Sequence, residues 1–354
     1  MLQPMPTIQP RATTAASPVP SCTTAVPDKN GHVPPESCNA NYGFYPKWED
    51  NCVFAALFGL VTVAHLTQSI VYKKVCKLRH VWRANMLIFF QKFCWVIVMG
   101  ASWECICFVL RTLGALDQQN STYVMLSTLL FLLAPLWINA FVYMIVSRLV
   151  YFLDSARQVL RIRATWLAKG FVSADIVCFA VQAVGGALMA GGQDNQKNAD
   201  LGKKIYMVGC SIQLVCVVVF VFVVAAFYRN VLRDIRAGTA KTRNRWIEPL
   251  LWVIFLVLVL IVERIIFRLI EFSRGADNSN PMLRREWYQL YLDGLPMLLA
   301  LAALNLIHPA LVLRGKDGDM PFPGFRCWRG QKSDFGPLPL HSIESLERLS
   351  QRNQ

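Results

Sequence analysis

The sequence predicts an all-α fold: a polytopic membrane protein whose seven transmembrane helices form one bundle, N-terminus outside and C-terminus cytoplasmic. Three observations carry that prediction. Of 354 residues, 55% are hydrophobic and only 16% charged, with a mean hydropathy of +0.38; a soluble domain carries about 25% charged residues. Seven stretches satisfy the requirement of about 20 apolar residues per span, at about 51–72, 84–108, 123–147, 170–190, 205–228, 247–272 and 287–312. Lys and Arg number 5, 5, 6 and 7 in the segments 73–83, 148–169, 229–246 and 314–354. They number 3, 1, 3 and 3 in 1–50, 111–122, 191–204 and 273–286. Positive residues accumulate on the cytoplasmic side, so the first set is inside.

The same distribution explains the net charge of +14 as a topology signal, with attraction to anionic lipid, and argues against nucleic acid as a partner. Residues 1–50 are rich in Pro, Thr, Ser and Ala, too poor in large apolar groups to offset ordering entropy, and are expected to be a disordered extracellular tail. Residues 51–313 form the membrane domain, and 314–354 a basic cytoplasmic tail whose segment Ser342–Leu349 has the pattern of a short amphipathic helix. The eleven cysteines show no metal-ligand spacing. Cys22 and Cys38 are candidates for a disulfide in the outside tail.

Taken in order, span one carries His65 and Gln68 near its cytoplasmic end. Span two carries Lys92, expected to snorkel, then Glu104 near its outer end, with Arg111 seven residues on and on the same face. Asn120-Ser121-Thr122 is a glycosylation sequon on the expected outer side. Span three contains Pro135 near mid-membrane, which frees a backbone carbonyl that a neighbouring helix must satisfy. Asn139, Tyr143 and Arg148 follow it. Span four has Asp175, Gln182 and Gly185-Gly186, the glycines being expected to allow close helix approach. Span five has Gly209 and Gln213. Span seven has Glu286, Asp293, Pro296, Asn305 and His308-Pro309.

Span six is the anomaly. After an apolar run from Leu250 to Val262 come Glu263, Arg264, Arg268 and Glu271. The last three fall within about 60° on one helix face. Each ionised group near a bilayer centre costs about 2.5–3.5 kcal/mol, so such groups face a bundle interior or a polar cavity. Given the alternating direction of successive spans, Glu104, Arg264, Arg268, Glu271 and Asp293 come to one level near the outer side. Arg111, Asp175, Gln182, Gln213 and Glu286 are supporting polar residues. A second polar set, His65, Asn139, Tyr143, Arg148, Asp175 and His308, is expected toward the cytoplasm. The outer charges read either as an ionic lock that fixes helix register, or as a cavity for an amphiphile's headgroup. In such a cavity the carboxylates hold an amine, or the arginines a phosphate or carboxylate.

At this point the motifs resemble those of a known family. Phe44-Tyr45-Pro46, Glu104-x6-Arg111, and Leu133-Ala134-Pro135 with Ala140, Tyr143 and Arg148 occur in order. Asp175-x6-Gln182-x2-Gly185-Gly186 follows, then Gly202, Gly209 and Gln213, then Arg264-x3-Arg268-x2-Glu271-x3-Gly275. Glu286-x6-Asp293 and His308-Pro309 close the series. In these the chain resembles the fungal lipid-translocating exporter family, seven-helix aminocholesterol-resistance-like proteins, over about residues 42–313. It departs from the family pattern at Cys107-Phe108, where Gly-Tyr is usual, and at Glu263, where the family has an uncharged residue. The resemblance implies movement of sphingoid long-chain bases or other toxic amphiphiles across a membrane, with porphyrin or haem transport among relatives.

The expected function is therefore translocation or export of amphiphilic lipids, with membrane lipids or amphiphilic small molecules as partners, no cofactor, no metal and no enzymatic activity. The expected location is the plasma membrane, with an endomembrane or the vacuole as alternatives. The competing readings are a seven-helix receptor or sensor, or a regulator of lipid asymmetry. A G-protein-type receptor is disfavoured because Ser147-Arg148-Leu149 stands where an acidic-Arg-Tyr run would end span three. A seven-helix zinc hydrolase needs about three histidines plus a carboxylate, and only His65 and His308 lie within spans. The chain has no G-x-x-x-x-G-K-[ST] loop, so ATP hydrolysis of the P-loop kind is not built into it.

Overall fold

Among the residues described by the computed structural model, seven helices are long and apolar enough to cross a membrane. It describes residues 23–79, 87–154, 157–191, 196–238, 244–273 and 282–313, except residues 36 and 283. The helices are α1 (Trp48–Arg79), α2 (Leu87–Leu116), α3 (Ser121–Leu153), α4 (Ala164–Gly191), α5 (Gln196–Arg236) and α6 (Ile247–Ser273). The seventh span is broken into α7 (Glu286–Gln289), a π turn (Leu290–Gly294) and α8 (Leu295–Leu306). Between α3 and α4 a small antiparallel hairpin pairs β1 (Gln158–Val159) with β2 (Ile162–Arg163). The expected polytopic seven-helix architecture is therefore present.

One span is displaced from its expected position. The apolar part of α2 is Trp95–Leu116, not 84–108, because Arg111 does not end the helix. Its charge is compensated by Glu286 of the seventh span, so the apolar run continues through it to Leu116. Glu104 consequently lies near the middle of its span. Asp175 also moves to mid-span, since α4 begins at Ala164 rather than 170. The side chain of Lys92 lies outside the described residues.

The core is built mainly by α3, α6 and the seventh span, the most deeply packed of the seven. Ile138, Val142, Ile145 and Leu149 of α3 are fully buried, as are Leu250, Ile254 and Val257 of α6. The outward faces are apolar as well: Leu60, Val63, Val215, Phe222 and Val259 are each more than 60% exposed. In water these would make an extensive uncovered apolar surface; in a bilayer they meet hydrocarbon.

The α4–α5 pair approaches closely through small residues. A Cβ on Gly185 would lie 2.5 Å from the Tyr206 nitrogen and 2.7 Å from the Gly202 carbonyl oxygen, whereas one on Gly186 would meet nothing within 4 Å. The packing role expected for the Gly185-Gly186 pair therefore falls on the first glycine.

The stretch before α1 is tied to the bundle. Gln118 donates its backbone N–H to the Asn30 carbonyl at 2.9 Å. Gln119 Nε2 donates to Gly31 O at 2.7 Å, and Asn41 Nδ2 to Gln118 O at 3.0 Å. This order comes from polar contacts with the α2–α3 connection, which composition does not register. Cys38 is disulfide-bonded; its expected partner Cys22 lies outside the described residues, as do the tail 314–354 and the segment Ser342–Leu349. Asn120, the sequon residue, caps α3, its side chain accepting from Thr122 N at 3.1 Å.

Candidate functional site

The site begins with a proline. Pro135 has no N–H, so within α3 the carbonyl four residues earlier, that of Phe131, loses its helical donor. Arg264 of α6 supplies the replacement, donating from Nη2 to Phe131 O at 3.1 Å. A buried carbonyl left unpaired in a membrane costs several kcal/mol; here a guanidinium from the neighbouring helix satisfies it.

Arg264 and Arg268 are like charges one turn apart, unfavourable alone. Asp293 compensates both: its Oδ1 pairs with Arg264 Nε, and its Oδ2 lies 2.5 Å from Arg268 Nη2. Asp293 is fully buried and sits inside the π turn. There the Leu295 N–H reaches the carbonyl of Leu290, five residues back. The next residue, Pro296, has no N–H to offer Leu292, so the chain at this point departs from regular α geometry. The inserted residue turns Asp293 toward α6. Arg268 completes its pairing within its own helix, through Glu271 at 3.2 Å. Three residues of α6 and one of the seventh span thus form a single ion cluster.

Gln289 links this cluster to a second one. Its Nε2 donates to Glu271 at 3.3 Å, and its Oε1 accepts from Arg111 Nη2 at 3.3 Å. Arg111 pairs with Glu286 at 3.5 Å and donates to Asn51 Oδ1 at 3.1 Å. Glu286 in turn accepts from Asn51 Nδ2 at 2.6 Å and from the Lys47 N–H at 2.8 Å. The Phe131 ring lies among the three guanidiniums, its centroid 5.6, 5.8 and 5.3 Å from Arg111, Arg264 and Arg268, within reach of a cation–π attraction.

The charges balance: Arg111, Arg264 and Arg268 against Glu271, Glu286 and Asp293. Glu104 is a fourth carboxyl, fully buried, and neither of its oxygens has a hydrogen-bond partner among the described residues. Of the four carboxyls it is the one without an ion pair among the described residues.

On the other side of Arg264 and Arg268 is a crevice between α3, α4, α5 and α6. Its empty space, open mouth included, is about 390 Å3. One wall carries the two arginines with Gln182 and Gln213, which hydrogen-bond to each other at 2.9 Å. The lining is otherwise largely apolar, with Leu132, Pro135, Phe179 and Ile265. Such a combination suits a molecule that is polar at one end and apolar at the other.

Not every expected neighbour meets. Glu271, Arg264, Arg268 and Asp293 come together as anticipated, with Arg111 and Glu286 joined through Gln289. Asp175 belongs to neither cluster; it binds Asn139 and Tyr143 instead. The second polar set is therefore not one group. His65 reaches the Leu301 carbonyl at 3.1 Å, and His308 Nδ1 accepts from Ala310 N at 3.1 Å. Glu263 is exposed on the surface of α6, apart from the cluster. Among the described residues no group of three or more His, Cys, Asp or Glu is placed to hold a metal ion.

Sequence reasoning missed Asn51, Gln289 and Phe131. A signal existed for Gln289, which stands three residues after Glu286 and four before Asp293, on their shared face.

Residues 97–316 match the family described as RTA1 like protein. The chain is 34% identical over 316 residues to a protein of Emericella nidulans named probable lipid transporter atnI, covering 87% of this chain and 78% of that one. It is 27% identical over 207 residues to the protoporphyrin uptake protein 1 of Saccharomyces cerevisiae, covering 58% of this chain and 65% of that one. It is 21% identical over 313 residues to the sphingoid long-chain base transporter RSB1 of the same species, covering 80% of this chain and 77% of that one. No solved structure matches.

Proposed function

This chain belongs to the RTA1-like protein family, and on that premise we propose that it moves amphiphilic lipids, sphingoid long-chain bases among them, across a membrane. It does so as a carrier rather than an enzyme, and without an ATP site of its own. The N-terminal segment lies outside, the C-terminal tail 314–354 is cytoplasmic, and the plasma membrane is its place of action; the loop asymmetry in Lys and Arg supports this orientation.

One observation carries the reading. The crevice beside Arg264 and Arg268 brings two guanidiniums and two amides together with apolar side chains, inside a bundle whose outer faces suit hydrocarbon. A headgroup there finds polar partners while its chain remains among apolar side chains. Glu104 is fully buried and does not line the crevice; in this reading a cationic headgroup reaches it past Arg264 and Arg268, which with Glu271 and Asp293 form the charged framework between them. The names of the relatives that act on lipids support the same class of cargo.

A second reading is favoured by a specific observation: one relative is named for protoporphyrin uptake, and the arginines of the crevice wall suit a porphyrin's carboxylates.

The test follows efflux of a labelled sphingoid base and of a haem analogue from cells with and without the protein. Faster efflux of the base identifies the lipid reading, and faster movement of the haem analogue the second. Unchanged flux of both, with the protein present at the membrane, contradicts direct transport and favours a regulatory role.

A further inference from the structure

Asp175 lies near the middle of the fourth span, is 2% exposed, and takes no part in the ion network. Its Oδ2 accepts hydrogen bonds from Asn139 Nδ2 and from the Tyr143 hydroxyl, each at 3.0 Å. Its Oδ1 is equally buried and has no partner among the described residues; nor has Asn139 Oδ1. Asn139 and Tyr143 are themselves 2% and 1% exposed. Phe220 and Phe171 close the cluster, their ring centroids 4.5 and 5.5 Å from that of Tyr143.

The titratable groups facing it are Tyr143 on α3, Cys178 on α4 and Cys216 on α5. No basic side chain among the described residues pairs with it. A carboxylate in a bilayer interior with no counter-charge is costly, and such a group is relieved by binding a cation, of which the proton is the smallest. The two bare oxygens, one on Asp175 and one on Asn139, are too few to replace the hydration shell of an alkali ion. The bare oxygen of Asp175 suffices for one proton.

The position also suits coupling. The crevice is lined by Pro135, Phe179 and Gln182. Pro135 is four residues from Asn139 and Phe179 four from Asp175, so residues lining the crevice stand about 6 Å, one helical turn, along the helix axes from both members of the cluster.

We propose that Asp175 is a proton-binding site that couples carrier movement to a proton gradient. A proton from water on one side adds to Oδ1, forming the neutral acid. It is returned to water on the other side, leaving the carboxylate, so that one proton crosses per cycle and nothing is oxidised or reduced. This rests on the transport reading above and adds its driving force.

Two measurements on the purified full chain test it. In liposomes loaded with a labelled sphingoid base, a gradient of one pH unit should shift the wild-type accumulation ratio by about tenfold, the value for one proton per cargo molecule. Asp175→Asn should show flux that ignores the gradient. A wild-type ratio that ignores the pH gradient, or follows a sodium gradient at constant pH, overturns the proposal. The second measurement does not need transport. Infrared difference spectra between mildly acidic and alkaline pH should show a protonated-carboxyl band in wild type that is missing in Asp175→Asn. If that variant does not fold, Tyr143→Phe serves, and should shift the pH at which the band disappears. A band unaffected by these substitutions overturns the proposal even where flux is absent. Absent flux with the expected band contradicts only the transport reading.

Discussion

Arg264 donates a hydrogen bond at 3.1 Å to the carbonyl of Phe131, the carbonyl that Pro135 leaves without a helical donor. A backbone defect in the third span is thus repaired by a charge in the sixth. The arginine that performs the repair is the one that pairs with Asp293 and lines the crevice. Pro135→Ala restores an N–H to α3 and competes with Arg264 for the same oxygen. The expected outcome is a protein at least as stable to heat in detergent, because proline inside a helix costs about 3 kcal/mol. Lipid flux is expected to fall. Flux retained together with higher stability would show that the contact does not position Arg264 for cargo.

Asp293→Asn tests the ion cluster. It leaves Arg264 and Arg268, one turn apart, with only Glu271 and the unpaired Glu104 to compensate them. Breaking one side of a buried ion pair costs about 3–5 kcal/mol. The melting temperature in detergent should drop sharply and surface abundance with it. A double variant Asp293→Asn, Arg264→Gln should recover part of the loss, which a generic packing defect would not.

The glycines of α4 make a sharper contrast. Gly185→Ala puts a methyl group against backbone atoms of α5 that cannot swing away. The helices must separate, at a cost of about 1–3 kcal/mol. Gly186→Ala, in open space, should be neutral. Equal melting temperatures for the two variants would contradict the close approach.

Tyr42 gives a pH dependence outside the spans. Burial, opposed in part by the charge of Arg111, pushes its phenol up to about 12. Its hydroxyl has no hydrogen-bond partner among the described residues. The folded state holds this proton more tightly than the unfolded chain does. The contribution to stability is therefore complete below about pH 10 and is lost as the pH rises toward about 12. Tyr42→Phe should leave neutral stability unchanged and flatten the alkaline fall in melting temperature. A variant that falls as steeply as wild type would show that another group governs it.

Much of this was legible in the sequence, for physical reasons that also set its limits. The seven spans follow from hydrophobic runs, and the level of Arg264, Arg268, Glu271 and Asp293 from chain direction alone. The need to satisfy the carbonyl freed by Pro135 was also readable, but not that Arg264 would do it. The end of α2 was misplaced because Arg111 looks like a loop residue until Glu286 is seen beside it. Asp175 does meet Asn139 and Tyr143 of the second polar set, but His65 and His308 bind elsewhere, because depth along a span says nothing about which side of a helix meets which partner. The π turn that aims Asp293 has only Pro296 as its trace in the sequence. Gln289 is an uncharged residue between two charged ones, and composition passes over it.

The central claim is that the chain itself carries amphiphiles, with Glu104 as the unpaired carboxyl of the site. Purified protein reconstituted into liposomes, with transbilayer movement of a labelled sphingoid base followed over time, tests it most directly. Wild type should accelerate movement by about tenfold or more over protein-free liposomes, equivalent to about 1.4 kcal/mol. Glu104→Gln should lose most of that acceleration while keeping the wild-type melting temperature. Wild-type liposomes that move the base no faster than protein-free ones would contradict the claim.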